Sequence, residues 1–378
     1  MNTYVGQKSI SILGFGNGIN SQFQTYWSGV IKSVKVNGVD LNLMHDLIWG
    51  TDTLFFRDNG FLSDSQASLL GQSYQELYAE KTATKLSIYK KLYNNLYVRY
   101  ALEYTYSAYV QDAYPSYYDV WGVNVPVLCS FNGEDFTDIA ALFRSAEAEM
   151  AIRLPRSGGD ESQTYVGGDF HGFENIVSDN DVRQFRILVD NVKIEETGTF
   201  SLRPIVSASI IQKSELCQAY SNSNPFARVL KEWHFDRNGI EITTSLEILR
   251  SVTFMNAMLG MFGVYRHWLG NSSNPYLTNR VVKDDNIFTE YDISDGWENV
   301  AANAPLKTAD INCRKMTLWG QYPYGFALQI IEPTVKPNGG MKIATNGSTY
   351  NKVYYDLTGT YTTEANEKLS CTQKWVIE

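Results

Sequence analysis

The chain has 378 residues, a formal net charge of −9 and only 19% charged residues, against 25 Tyr, 18 Phe and 8 Trp. That length buries a substantial core, and an acidic balance without a concentrated Lys/Arg block excludes a nucleic-acid backbone and an anionic membrane surface as partners. Cys129, Cys217, Cys313 and Cys371 stand far apart without a Cys-x-x-Cys spacing, which reads as buried thiols, not as a zinc ribbon or a disulfide framework.

Met1–Lys8 has no apolar core of signal-peptide length and no later run spans a bilayer, so synthesis in a cytoplasm without an export signal is expected. Residues 1–80 read as an attachment module, with Val34–Leu41 as a hairpin, Ser63–Gly71 as a turn of helix and the glycines of Gly14–Gly18 as a flexible strand end. Its boundary falls near Lys81–Thr84. From there period-two patterning dominates: Leu96, Val98, Tyr100, Leu102, Tyr104 and Tyr106 share one face of a strand, with Tyr97, Arg99, Ala101, Glu103 and Thr105 opposite. Asp135–Met150 holds good helix formers and reads as a short helix before a strand.

Strand signals recur in Gln184–Ile194, Ser201–Ile211, Gly239–Leu246 and Lys352–Leu357. Asn-Gly pairs begin at Asn132, Asn238, Asn338 and Asn346, and Asp236–Gly239 between two strands is the clearest hairpin. The pattern predicts a mostly β protein, a large antiparallel jelly-roll-like sandwich over 81–378 behind the small N-terminal β module.

Three regions carry candidate chemistry. Ala151–Gly159 places Arg153 and Arg156 where they can clamp a carboxylate or sulfate. Tyr165–Glu174 sets Asp169, His171 and Glu174 among Gly167, Gly168 and Gly172, in a chain with only 4 His. Lys231–Arg237 and Gly263–Trp268 hold His234 and His267 among aromatic and cationic residues. In an extended strand Glu232, His234 and Asp236 share one face and Trp233 and Phe235 the other; Tyr265 and His267 likewise lie opposite Arg266 and Trp268.

This set fits β-elimination of an acidic polysaccharide, which needs no cofactor or metal: an Arg neutralises the uronate carboxylate, and His and Tyr move protons. The residues expected to act are Arg153, His171, His234, Tyr265 and His267. Those expected to bind substrate are Arg156, Tyr165, Asp169, Glu174, Trp233, Arg237, Arg266 and Trp268, because aromatic rings suit sugar faces.

Two alternatives draw on the same segments. Asp169 with Glu174, or Glu232 with Asp236, are candidate hydrolase pairs. His171-Gly-Phe-Glu174 has the His-x-x-Glu spacing of zinc deacylases, with His234 or His267 as a third ligand. No Gly-x-Ser-x-Gly elbow supports a serine hydrolase.

A Tyr- and Asn-rich antiparallel sandwich with an Arg, His and Tyr set resembles the receptor-binding or depolymerase part of bacteriophage tail fibres and tailspikes. Tyr165–Glu174, Glu232–Arg237 and Phe254–Trp268 look similar to sheet segments of jelly-roll polysaccharide lyases. The resemblance implies a virion tail protein that recognises or degrades a bacterial surface glycan beside other tail proteins, working as a homotrimer. A noncatalytic receptor-binding protein keeps the aromatics and drops the catalysis.

Overall fold

The computed structural model describes residues 76–377 apart from 94, 108–117, 144–148, 156–164, 219–223, 285–288, 297–303 and 344–348, and the backbone of seven short strands between Asn2 and Phe56. The side chains of Asp169 and Phe170 are not among the described ones. Before residue 76, Val34–Val36 pairs antiparallel with Val39–Leu41, as the Asn-Gly between them predicts. The Ser63–Gly71 and Gly14–Gly18 readings and the Asn346 turn lie outside the described residues.

The described chain is mostly β, in two main sheets packed face to face. The larger starts at Leu77–Lys81, which forms a hairpin with Lys85–Tyr93, so the hydrogen-bonded sheet includes strands on both sides of the Lys81–Thr84 turn. Lys85–Tyr93 continues to Leu96–Ser107, whose far edge is shared between Val127–Phe131 and Tyr118–Val123. Tyr118–Val123 passes through Glu174–Ile176 to a run of long strands: Ala208–Cys217, Pro225–Asp236, Gly239–Ile248, Lys368–Ile377 and Gly325–Pro333. The smaller sheet orders Tyr165–Val166, Ala151–Arg153, Asn256–Tyr265, Tyr350–Asp356 and Gly340–Ile343.

Alternation decides which face is buried. In Pro225–Asp236 the inward row is Ala227, Val229, Lys231, Trp233 and Phe235, and Arg228 and His234 point out. In the smaller sheet Ile152, Val166, Leu259, Phe262, Val264, Val353 and Tyr355 join the same core. Gly260 keeps the sheets close, since a Cβ there would meet Ile330 Cδ1 at 2.9 Å and Gln373 Oε1 at 3.6 Å. Gln373 then bridges the sheets: its Nε2 donates to Glu149 O and Leu259 O, and its Oε1 accepts Met261 N–H. An inward amide is tolerable only with such partners.

Several local readings change. Asp135–Met150 is not helical at its start: Phe136–Ala141 is a strand paired with Val127–Phe131, and Asn132 Oδ1 caps the loop by accepting Glu134 N–H and Asp135 N–H. Sheet pairing overrides the helix-forming side chains. Gln184–Ile194 is not one strand but a hairpin, Phe185–Val189 with Val192–Ile194, turned at Asp190 and Asn191 with φ of 51° and 64°. Ser201–Ile211 is split between Phe200–Pro204 and Ala208–Cys217. Both faces of Leu96–Ser107 are partly covered, because Tyr97 is buried in a second cluster with Tyr89, Cys129 and Phe131. The Asp236–Gly239 hairpin forms as read, with Gly239 at φ 117°. All four cysteines are buried free thiols.

Candidate functional site

The outer face of the smaller sheet gathers part of the predicted set. Arg153 and Tyr165 are direct cross-strand partners, with side chains opposite the core-facing Ile152 and Val166. The Arg153 guanidinium lies 5.7 Å from the Tyr165 ring centre, and His171 stacks on that ring at 5.1 Å. Tyr165 and Tyr354 pack together over Ala151, Met258 and Met261. Along Tyr350–Asp356 the outward row continues with Lys352, whose Nζ is 5.4 Å from the Tyr354 ring and 5.7 Å from the Tyr350 ring. Tyr265 pairs with Tyr350 at the far end of the same face.

Glycine makes this face possible at one position. Gly263 is the cross-strand partner of Lys352, and a Cβ on it would come within 3.3 Å of both Lys352 Cγ and the Tyr350 ring. The aliphatic stem of Lys352 therefore lies against backbone, with its ammonium among phenols.

The protonation states diverge. Burial lowers the His171 pKa to about 4, so its imidazole is neutral at neutral pH. Burial first, then the neighbouring Tyr165 and Tyr350, raises the Tyr354 phenol well above its ordinary value, so it keeps its proton. At neutral pH this face therefore carries a neutral imidazole beside a protonated phenol.

The remaining predicted residues are dispersed. His234 is exposed on the outward face of the larger sheet, 3.0 Å from Ser209 Oγ, on the opposite side of the sandwich from Arg153 and Tyr165. Arg237 is exposed at the neighbouring hairpin. His267 lies beyond the end of the Asn256–Tyr265 strand, its Nδ1 2.8 Å from Asn274 O and its ring stacked on Tyr276 at 4.3 Å. Arg266 is buried and donates to the carbonyls of Ile293 and Ser294. Trp268 stacks on Tyr322 at 4.5 Å. Arg156 lies outside the described residues, as does the Asp169 side chain.

Trp233 and Glu174 are not surface groups. Trp233 is fully buried, and its Nε1 donates to Glu149 Oε1 at 2.9 Å, so it offers no platform to a sugar. Glu174 is fully buried against Lys231 Nζ at 2.9 Å. The His-x-x-Glu spacing therefore divides: His171 meets Tyr165, while Glu174 turns inward. The proposed hydrolase pair Glu232 and Asp236 sits with His234 on the outward face of the larger sheet. Lys352 and Tyr354, which the alternation of Lys352–Leu357 puts on one face, were not among the predicted residues; only the sheet order reveals that Tyr165 shares that face.

No family model matches the chain, and no curated protein matches it in sequence. Among solved structures, a heparinase III is similar over 83% of this chain and 40% of its own, at 8% identity and a TM-score of 0.34. A heparan sulfate lyase HepC mutant from Pedobacter heparinus is similar over 83% of this chain and 41% of its own, at 7% identity and a TM-score of 0.31. The chain thus spans about two fifths of the length of these lyases, and likeness at this level assigns no activity.

Proposed function

We propose that the outer face of the smaller sheet performs β-elimination on a uronate-containing polysaccharide. The observation that supports this reading is the meeting of Arg153, Tyr165 and His171 with Tyr354 and Lys352, with His171 held neutral and Tyr354 held protonated. Arg153 binds and neutralises the uronate carboxylate, with the buried Lys352 ammonium adding positive charge behind the face, which makes the C5 hydrogen acidic. His171 takes that proton, the C5–H electrons form the C4–C5 double bond, and the C4–O4 bond breaks. Tyr354 gives its phenolic proton to the departing oxygen, and solvent returns the proton from His171 to Tyr354. Tyr165 offers its ring face to a flanking sugar. In the same reading the chain is the glycan-acting part of a virion tail depolymerase that assembles as a homotrimer. The Tyr-rich antiparallel build behind a stretch of short strands supports that setting, and a monomer by light scattering removes it.

The test is a time course on acidic bacterial polysaccharides, following ultraviolet absorbance of unsaturated uronate together with reducing ends. Elimination raises both in wild type, and His171→Asn and Tyr354→Phe each lower the rate by about 10²-fold or more. Reducing ends without absorbance indicate hydrolysis and overturn the reading. Binding without either signal marks a receptor-binding module.

A further inference from the structure

Glu174 stands at the end of the segment that carries His171, yet it never reaches the outer face. Its fully buried carboxylate accepts hydrogen bonds from Lys231 Nζ at 2.9 Å, Ser214 Oγ at 2.6 Å and the Gly168 amide at 2.6 Å. Gln212 Nε2 lies 3.5 Å away, and Lys231 Nζ is also 4.0 Å from Glu149. Gly168 opens the one-turn helix Gly168–His171, and the turn is closed by Gly167 N–H to Gly172 O at 2.9 Å and Gly172 N–H to Gly168 O at 3.1 Å.

We propose that Glu174 is the positioning residue for His171: clamped by Lys231 and Ser214, its carboxylate holds the Gly168 amide and fixes the turn that lays the imidazole on Tyr165. The turn reverses sharply, with φ of 111° at Gly167, 67° at Gly168, 70° at Gly172 and 60° at Phe173. A helix of four residues has too few internal hydrogen bonds to hold such a path by itself. A charge-assisted bond from a buried carboxylate, itself immobilised by two further donors, supplies the missing anchor. On the core side, a Cβ on Gly167 would approach Met150 Cε to 2.8 Å, so the turn cannot sink further inward. The consequence for turnover rests on the reading of His171 as proton acceptor; the placement of the turn does not.

The experiment is a carbon-detected spectrum of protein labelled at histidine Cε1, whose four signals are assigned with His→Asn variants. In Glu174→Ala/Lys231→Met, which removes both charges together, the His171 signal moves and broadens while those of His234 and His267 stay in place. Ser214→Ala removes one of the two donors that clamp the carboxylate and loosens its hold on the Gly168 amide while the ion pair to Lys231 remains; it gives a smaller His171 shift and reports even where the double variant does not fold. On substrate, the double variant loses about 10²-fold in kcat, because misplacement by an ångström costs that much, with little change in KM. An unmoved His171 signal in Ser214→Ala and in any folded double variant overturns the proposal. If His171 moves but His171→Asn retains full turnover, the positioning holds and the assignment of the base falls.

Discussion

Acid titration separates the wild type from His171→Asn. An unfolded chain protonates its histidines with an ordinary pKa near 6.5, whereas burial holds His171 at about 4 in the folded protein. Between these values the unfolded state binds a proton that the folded state refuses, so stability falls as pH falls, by about 1.4 kcal/mol per pH unit. Integrated from pH 6.5 to 4, the loss is about 3 kcal/mol, an upper figure because the ring keeps a partly open edge. The contribution is fully present above pH 6.5 and stops changing below about 4, where the folded protein also takes the proton.

Carboxylates held low in the folded state lie on the other side of this window. Asp356 is one: despite burial that opposes its charge, Lys342, the Ala257 N–H and Asn256 keep it below the ordinary range. Its effect is common to both proteins and cancels in the difference. Urea unfolding followed by Trp fluorescence at pH 7, 5.5 and 4.5 reads the result. Wild type steepens relative to His171→Asn below pH 6.5, and parallel stability curves refute the burial argument.

Other substitutions test the partition of the two faces. Trp233→Phe leaves the buried Glu149 Oε1 with the Val123 N–H but without its indole donor, and costs about 1–3 kcal/mol in urea unfolding; no loss contradicts the inward placement. His234→Ala removes an exposed ring that touches Ser209, and changes stability by less than about 0.5 kcal/mol with turnover intact; a large loss of turnover returns His234 to the site. Gly340→Ala costs about 3 kcal/mol or more, because φ is 144° and the new Cβ falls 2.3 Å from the Asp310 carbonyl carbon, which is backbone and cannot yield. Gly325→Ala is its control, meeting only Thr317 Cγ2 at 3.9 Å, and leaves the midpoint nearly unchanged.

Strand alternation made much of the architecture legible, and the Asp236–Gly239 hairpin followed from its turn residues. Asp190-Asn191 and Asn180-Asp181 were harder, because both turns take positive φ without glycine and so lack the usual signature. Alternation also separated Trp233 from His234 correctly but could not say which of the two rows faced water. That ambiguity turned a core tryptophan into a sugar platform. Arg153, Tyr165 and His171 were within reach of sequence reasoning because they are close in the chain. Tyr354 and Lys352 were not, since their adjacency depends on Tyr350–Asp356 pairing with Asn256–Tyr265, about ninety positions away in sequence.

The outer face of the smaller sheet and the buried cluster that anchors the His171 turn make opposite demands. For the proposed reaction, Arg153 and Tyr165, which are partly exposed, need openness to a polymer. Inward, Glu149, Glu174 and Lys231 form a buried cluster with two carboxylates to one ammonium. Such a cluster is a poor source of stability, because desolvation offsets most of the attraction. Stranding a buried charge costs about 3–5 kcal/mol, whereas an apolar replacement of a whole set is often neutral; Glu174→Gln keeps Glu149 4.0 Å from Lys231 and so strands none. Retention of the cluster therefore needs a reason other than strength. The hydrogen bond from Gly168 to Glu174 supplies one, since an apolar core would pack equally well but would leave that amide unpaired and His171 without a fixed place.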